Sequence, residues 1–456
     1  MSATPTATPA ATPAATSVAT AALALRARGT VRELSTNLRR VLMARDGSTD
    51  SAIRTRVSEM IAEVRTRGDA ALRDFATQFD GVHLEVFEVA RTEWMRALDA
   101  LDPALRRSLE RAVANISTVH AAFLPKETEV SPEPGIVIGR RPDPLSRVGV
   151  YAPGGRAAYP SSLLMGAVPA RVAGVGEVIV CSPPTATGMP SDVVLAAAQL
   201  AGVDRVFALG GAGAVAAMAL GTESVPRVDR IVGPGNAYVA EAKLQLVSHV
   251  TIDSPAGPSE LLVIADSTAS PDVIAREMIA QAEHDPQAAV ITLAVGGVDV
   301  ADAVYAAVAK QVATTPRAAI VREALSSRGA ILTTDSLSEA VSFANEWAAE
   351  HLLLALADDV RDDTLAALRH AGTIFVGESS SVAFGDYMTG ANHVLPTAGL
   401  ARCYSGLSTL DFFRWTTWQR VTPAAAASLS ADVARFADAE GLPGHAAAAR
   451  AWGDRV

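Results

Sequence analysis

The sequence predicts an α/β protein built from two Rossmann-like parallel-sheet modules, the second read as a duplicate of the first, with an N-terminal helical region before them and a C-terminal helical tail after. Three observations carry this. Between about Gly135 and Gly257, short apolar runs alternate with amphipathic helical stretches, the rhythm of parallel βαβ units. The same rhythm repeats up to Gly377. Ahead of both, Val57, Met60, Ile61 and Val64 recur at the spacing of one helix face.

The elements follow in order. Residues 1–22 are almost only Ala, Thr, Pro and Ser, too poor in large apolar side chains to offset the entropy of ordering, and read as a disordered tail. The tail lacks the basic patch and apolar core of a secretory signal and the arginines of a transit peptide. Residues 23–134 form the helical region, helical from about Thr30 to Leu124, with a long helix expected over Arg91 to Phe123 and breaks at Gly68 and Gly81. Residues 135–257 form the first module, with strands expected at Arg147–Tyr151, Glu177–Cys181, Arg205–Leu209 and Arg230–Val232. Residues 258–377 form the second, with strands at Leu261–Ala265, Ala289–Val295, Ala330–Thr333, His351–Leu356 and Thr373–Val376. Residues 378–456 are loop-rich and then helical, long enough to reach a neighbouring subunit.

Composition narrows the function. A chain of 456 residues exceeds the ~250–300 at which single cores stop growing, so a multidomain enzyme fits. Hydrophobic residues at 49% against 19% charged exclude a disordered chain, and no apolar run approaches the ~18–20 residues of a membrane span. A net charge of −10 without a dense basic cluster argues against nucleic acid and for small-molecule partners. The two cysteines, Cys181 and Cys403, provide neither a disulfide framework nor a thiolate metal site and suit a reducing cytoplasm.

Several stretches carry groups capable of chemistry. Ser270, Pro271 and Asp272 are placed to cap and start a helix, on which Ile274, Met278, Gln281 and His284 share a side before Asp285-Pro286 stops it. The pair is either a polar helix end or two ligands one turn apart. Glu350-His351, between a helix over Leu337–Trp347 and an apolar run, is either an ion-paired helix end or an acid-base pair tuned by burial. Asp386 and His393 crowd the long loop, and His445 follows a Gly/Pro turn. Gly211–Ala216 matches the G-x-G-x-x-A dinucleotide fingerprint, with Asp229 in range of a ribose-binding acid, a match that Ala/Gly-rich chains also produce by chance. Glycine-rich turns at Tyr151–Gly155 and Gly233–Asn236 also follow strands, where open α/β sheets bind ligands.

Together the segments RVGVYAPGGRAAYPSS, GTESVPRVDRIVGPGNAYVAEAK, DSPAGPSELLVIAD, QAEHD, EHL, GDYMTGANHVLPT, YSGLS and AEGLPGH resemble the histidinol dehydrogenase family, in the family's order from about Arg147 to His445. The resemblance implies a zinc- and NAD-dependent four-electron oxidation of L-histidinol to L-histidine through a bound aldehyde, the end of histidine biosynthesis, in a cytoplasmic homodimer. It implies zinc ligands at Gln281, His284, Asp386 and the partner subunit's His445. Substrate contacts fall on Ser259, His351 and Glu440 besides the metal ligands, with His393 in a matching loop. Glu350 and His351 match the proton-handling pair. Cofactor positions fall on Tyr151, Asn236 and Gly213. The last replaces a glutamine of the family and removes a side-chain hydrogen bond, which also weakens the Gly211–Ala216 fingerprint. In this chemistry zinc is mainly an orienting template, His351 takes the alcohol proton, and Glu350 activates water against the aldehyde. Two rival readings stay open: a zinc hydrolase with Glu350 as base, and a two-lobed small-molecule binding protein.

Overall fold

The computed structural model describes residues 23–45, 50–154 and 158–453, so the expected tail at 1–22 lies outside it. The chain enters as a strand, β1 (Ala27–Thr30), in a region expected from the sequence to be helical. Helices Thr36–Met43, Ser51–Arg67, Asp69–Phe75, Arg91–Ala100 and Pro103–Ala122 follow. The single helix expected over Arg91 to Phe123 is therefore two. Asp102 divides them, because its carboxylate accepts the Ala104 and Leu105 N–H groups at 2.9 and 3.0 Å and Pro103 takes the first helical position.

After two strands of a small antiparallel sheet, β2 (Thr128–Val130) and β3 (Ile136–Pro144), the first parallel sheet forms from β4 (Arg147–Tyr151), β5 (Glu177–Ser182), β6 (Arg205–Ala208), β7 (Arg230–Val232) and β8 (Thr251–Ile252). Its order is β6-β5-β4-β7-β8. The second forms from β9 (Glu260–Ala265), β10 (Ala289–Val295), β11 (Gly329–Thr334), β12 (Ala349–Ala355) and β13 (Ala371–Val376), in the order β11-β10-β9-β12-β13, with β1 added beyond β11. In both, the first strand is central and the order reverses between first and fourth, so the two modules share one topology. All expected strands form, because runs such as VIVC and LLVIA are buried on both faces and leave the backbone no partner but a neighbouring strand.

Side-chain alternation along β12 sets what lies on each face. Leu352 and Leu354 join Phe343 and Trp347 in one core cluster, while Leu353 and Ala355 join Ile274, Met278 and Phe375 in another. The helix Pro271–Ala282 thus covers the face to which His351 also belongs. Two details differ from expectation. The Ser270 hydroxyl makes no cap; its N–H instead donates to the Glu378 carboxylate. The helix ends at Ala282, leaving His284 past its last turn, since Asp285 precedes a proline and its carboxylate accepts the Gln287 N–H at 2.7 Å.

The C-terminal segment also contains a strand, β14 (Phe413–Val421), antiparallel to β3. Helices Pro423–Ala439 and Pro443–Gly453 follow and pack on one another through Ala434, Ala437 and Ala446 and an Arg450–Asp438 ion pair, leaving Val433, Phe436 and Leu442 exposed. Among the described residues, no helix is long and apolar enough to cross a membrane.

Candidate active site

The second sheet carries its titratable groups at the amino ends of its central strands. Glu260 opens β9, and Glu350 and His351 are the second and third residues of β12, with His351 paired to Leu261. All three are buried. The Glu350 carboxylate accepts the Glu260 N–H at 2.7 Å, and the Glu350 N–H donates back to the Glu260 carboxylate at 3.3 Å. Behind them, Arg45 reaches the Glu260 carboxylate at 2.6 Å and lies over the Trp347 ring at 3.8 Å. The Ala398 N–H binds the other Glu260 oxygen at 2.7 Å. Burial dominates both partners: it pushes Glu260 up to about 7 against the pull of Arg45, and Arg45 down to about 10.

His351 has a defined polarity. Its Nδ1 lies 3.1 Å from the Glu260 carbonyl, which can only accept, so Nδ1 carries a hydrogen and, in the neutral ring, the lone pair is on Nε2. Nε2 is buried without a hydrogen-bond partner and lies 3.7 Å from the Asp386 carboxylate. Burial opposes the imidazolium, but the charge and hydrogen bond of Glu350, 3.4 Å away, and then the charge of Asp386 outweigh it and push His351 up to about 9. A cation held at Asp386 would oppose that carboxylate and lower the imidazole again.

Phe375 connects the elements that bring Asp386 here. Its ring lies 5.9 Å from that of His351, and Gly385, beside Asp386, is packed so closely on it that a Cβ would fall 2.6 Å from Phe375 Cε1. Glu277, on the helix Pro271–Ala282, accepts the Val382 N–H at 3.1 Å and ties that helix to the one carrying Asp386. Tyr387 is raised by part burial and then by the charges of Asp386, Tyr159 and Glu283, so the helix end at 281–284 shares its electrostatic neighbourhood. Gln281 is buried there, with no side-chain hydrogen bond among the described residues, and His284 is exposed.

These donors suit a metal. An unbonded amide, a carboxylate free of hydrogen bonds and an exposed imidazole form the mixed oxygen and nitrogen set that zinc accepts, with room for further ligands. Among the described residues no three His, Cys, Asp or Glu gather in one chain, and the expected set asks for only two of those types from one chain. His445 and Glu440 are exposed on the C-terminal arm, and no hydrogen bond or ion pair joins them to Gln281, His284 or Asp386 of their own chain. Ser259 is part-buried and its carbonyl accepts the Ala289 N–H at 3.0 Å, immediately before Glu260.

His393 joins the modules. Its Nδ1 donates to the Asp386 carbonyl at 2.8 Å, and its Nε2 accepts from the Ser162 hydroxyl at 3.2 Å, at the start of the helix Pro160–Val172 that follows β4. Burial lowers it, against the pull of Asp386. The carboxyl edge of the first sheet thus faces the amino edge of the second. On that carboxyl edge, where the strand order reverses between β4 and β7, lie Tyr151 and the Gly233–Asn236 turn. The buried Tyr151 hydroxyl accepts the Gly211 N–H at 3.0 Å and is pushed up to about 12 by burial. Asn236 is exposed, and its side chain caps the helix Ala237–Gln245 through the Tyr238 and Val239 N–H groups. Gly155, in the first of these turns, lies outside the described residues.

The glycine fingerprint has a different explanation. Gly213 is buried under the helix Asp69–Phe75, where a Cβ would stand 2.9 Å from Phe75 Cδ2, so helix packing accounts for it. Asp229 accepts the Arg147 N–H at 2.9 Å, at the amino ends of β4 and β7, on the opposite edge from Gly211. Sequence reasoning passed over Glu260 and Arg45. For Glu260 a signal existed, a carboxylate opening an otherwise apolar buried strand. For Arg45 there was none, because its partners lie more than two hundred positions away.

A family model described as histidinol dehydrogenase matches residues 43–452. Histidinol dehydrogenase of Methanosarcina barkeri is 46% identical over 410 residues, 90% of this chain and 94% of that protein. The protein of that name from Methanothermobacter thermautotrophicus is 47% identical over 390 residues, covering 86% and 91%. The crystal structure of histidinol dehydrogenase from Elizabethkingia anophelis superposes with a TM-score of 0.89 at 31% identity, over 94% of this chain and 99% of that one.

Proposed function

Because the chain belongs to the histidinol dehydrogenase family, we propose that it oxidises L-histidinol to L-histidine through a bound aldehyde, with two NAD reduced, as the last steps of histidine biosynthesis. The observation that carries this reading is the buried, unpartnered Nε2 of His351 beside Asp386, backed by Glu350. Gln281, His284, Asp386 and the partner subunit's His445 hold zinc in a homodimer. Ser259, His351, His393 and Glu440 complete the substrate site, and Tyr151 and Asn236 serve the cofactor. The module 135–257 is then the cofactor side, 258–377 the metal and acid-base side, and 378–456 the segment lent to the partner. The free cysteines Cys181 and Cys403 suit a cytoplasmic setting.

When bound, zinc supplies a template for the substrate's imidazole and amine, and NAD supplies the hydride acceptor. His351, anchored through Nδ1, takes the carbinol proton at Nε2 and returns it to solvent between steps. Glu350 is held through one oxygen by the Glu260 N–H; its other oxygen takes a proton from water as the water oxygen bonds to the aldehyde carbon. His351 then takes the hydroxyl proton of the hydrate in the second oxidation. The shielded setting keeps both groups oriented and bulk water out.

The test combines metal analysis of the purified protein with NADH yield per histidinol. Two NADH per histidinol and one zinc per chain are expected. Stoichiometric zinc with no NADH formed would favour the zinc hydrolase instead, and histidinol binding without turnover a binding protein.

A further inference from the structure

Lys243 and Asp253 are buried titratable groups with no part in the chemistry above. Their side chains, 5% and 4% exposed, form an ion pair at 2.7 Å inside the first module. Both close on a single residue, Gly233. The Lys243 ammonium donates to the Gly233 carbonyl at 2.6 Å, and the second Asp253 oxygen accepts the Gly233 N–H at 2.8 Å. Gly233 has φ +111°, and a Cβ there would lie 2.1 Å from the Tyr151 carbonyl, so this residue is held in a glycine-only conformation against the neighbouring strand end. It opens the Gly233–Asn236 turn where the strand order reverses.

We infer that Lys243 and Asp253 are positioning residues for the dinucleotide, clamping Gly233 so that Asn236 and the Tyr151 turn face one another across the crevice. This rests on the reading of NAD at that edge. A buried ion pair is a costly way to hold a turn unless the turn's geometry matters, since apolar residues of like volume commonly do as well for stability.

The test is calorimetric titration of the metal-loaded protein with NAD, alongside the KM for histidinol. The variant Lys243→Met/Asp253→Asn removes both charges, keeps an acceptor for the Gly233 N–H and frees its carbonyl. It should raise the Kd for NAD on the order of 10–100-fold, the scale of losing a supporting partner of a site residue, with the KM for histidinol within about twofold. Asn236→Ala serves as reference. Should unmodified protein and Asn236→Ala bind NAD equally well, the cofactor reading fails. Weakened binding in Asn236→Ala but unchanged binding in the clamp variant overturns the inference alone, as does a parallel loss for NAD and histidinol. If the double variant does not fold, Asp253→Asn decides by the same criterion, with about a tenfold rise expected.

Discussion

Replacing Arg45 by Met separates the two forces acting on Glu260. In the unmodified protein burial sets the Glu260 pKa at about 7 in spite of Arg45. The folded value lies above the ordinary carboxylate value, so the stability Glu260 contributes is fully present below about pH 4.5 and is lost as pH rises through about 7. That loss amounts to about 3 kcal/mol and levels off above pH 7, where Arg45 holds the ionised form. Without the guanidinium, a side chain 2% exposed has only the N–H groups of Ala398 and Glu350 for its charge, and its pKa should climb to the ~8–9 documented for unpaired buried carboxyls. The variant should therefore keep losing up to about 1.4 kcal/mol per pH unit as the unmodified protein levels off, so that the gap widens by about 1 kcal/mol between pH 7 and 8.5. Lost packing on Trp347 adds a deficit that does not vary with pH. Equilibrium urea unfolding across pH 5.5 to 8.5 measures the gap, and Arg45→Met/Glu260→Gln, with no charge to titrate at this site, should show no widening of it above pH 7. A gap of one size from pH 6 to 8.5 in the single variant would refute the assignment of the titration to Glu260.

The division of labour in the acid-base pair predicts different lesions. Glu350→Gln keeps an acceptor for the Glu260 N–H and loses only the base, so oxidation of supplied aldehyde should fall about 10²–10⁴-fold while the alcohol step falls much less. His351→Asn should depress both half-reactions on that scale, and equal aldehyde rates in Glu350→Gln and the unmodified protein would reverse the assignment. Subunit sharing predicts complementation between His445→Ala and His351→Asn chains. Each homodimer has no intact site and each mixed dimer has one, so random exchange should restore about a quarter of normal activity. No recovery in dimers shown to have exchanged would count against a shared site.

The parallel modules were legible because each strand is apolar on both faces, a pattern that depends on nothing outside the strand. The small sheet of β2, β3 and β14 was not. Phe413–Val421 leaves most of its side chains at least partly exposed and so lacks an alternation to read, while β3 contains Pro142 and Pro144. Ala27–Thr30 escaped for a similar reason: as an edge strand it buries one residue, Ala27. In the site, Glu350 and His351 were readable as a pair because they are neighbours in sequence beside an apolar run. Glu260 and Arg45 were not, since what makes them important is the reciprocal hydrogen bonding of two strand starts ninety positions apart.

The two modules share a topology but not an edge. On the first, glycine turns at the carboxyl ends of β4 and β7 leave backbone open at the point of strand reversal, the ordinary place for a ligand. On the second, the amino ends of β9 and β12 begin with carboxylates and an imidazole that the sheet buries, and a buried charge needs backbone N–H groups or a cation to stay there. The reciprocal pairing of Glu260 with Glu350, closed by Arg45, supplies both. The segment Asp253 to Glu260 runs from the clamp on Gly233 to this network, with the Gly257 N–H bound to Thr397 Oγ1 at 2.6 Å between them. One topology used twice therefore presents two unlike edges to each other, and on the proposed reading one edge removes protons while the other holds the hydride acceptor.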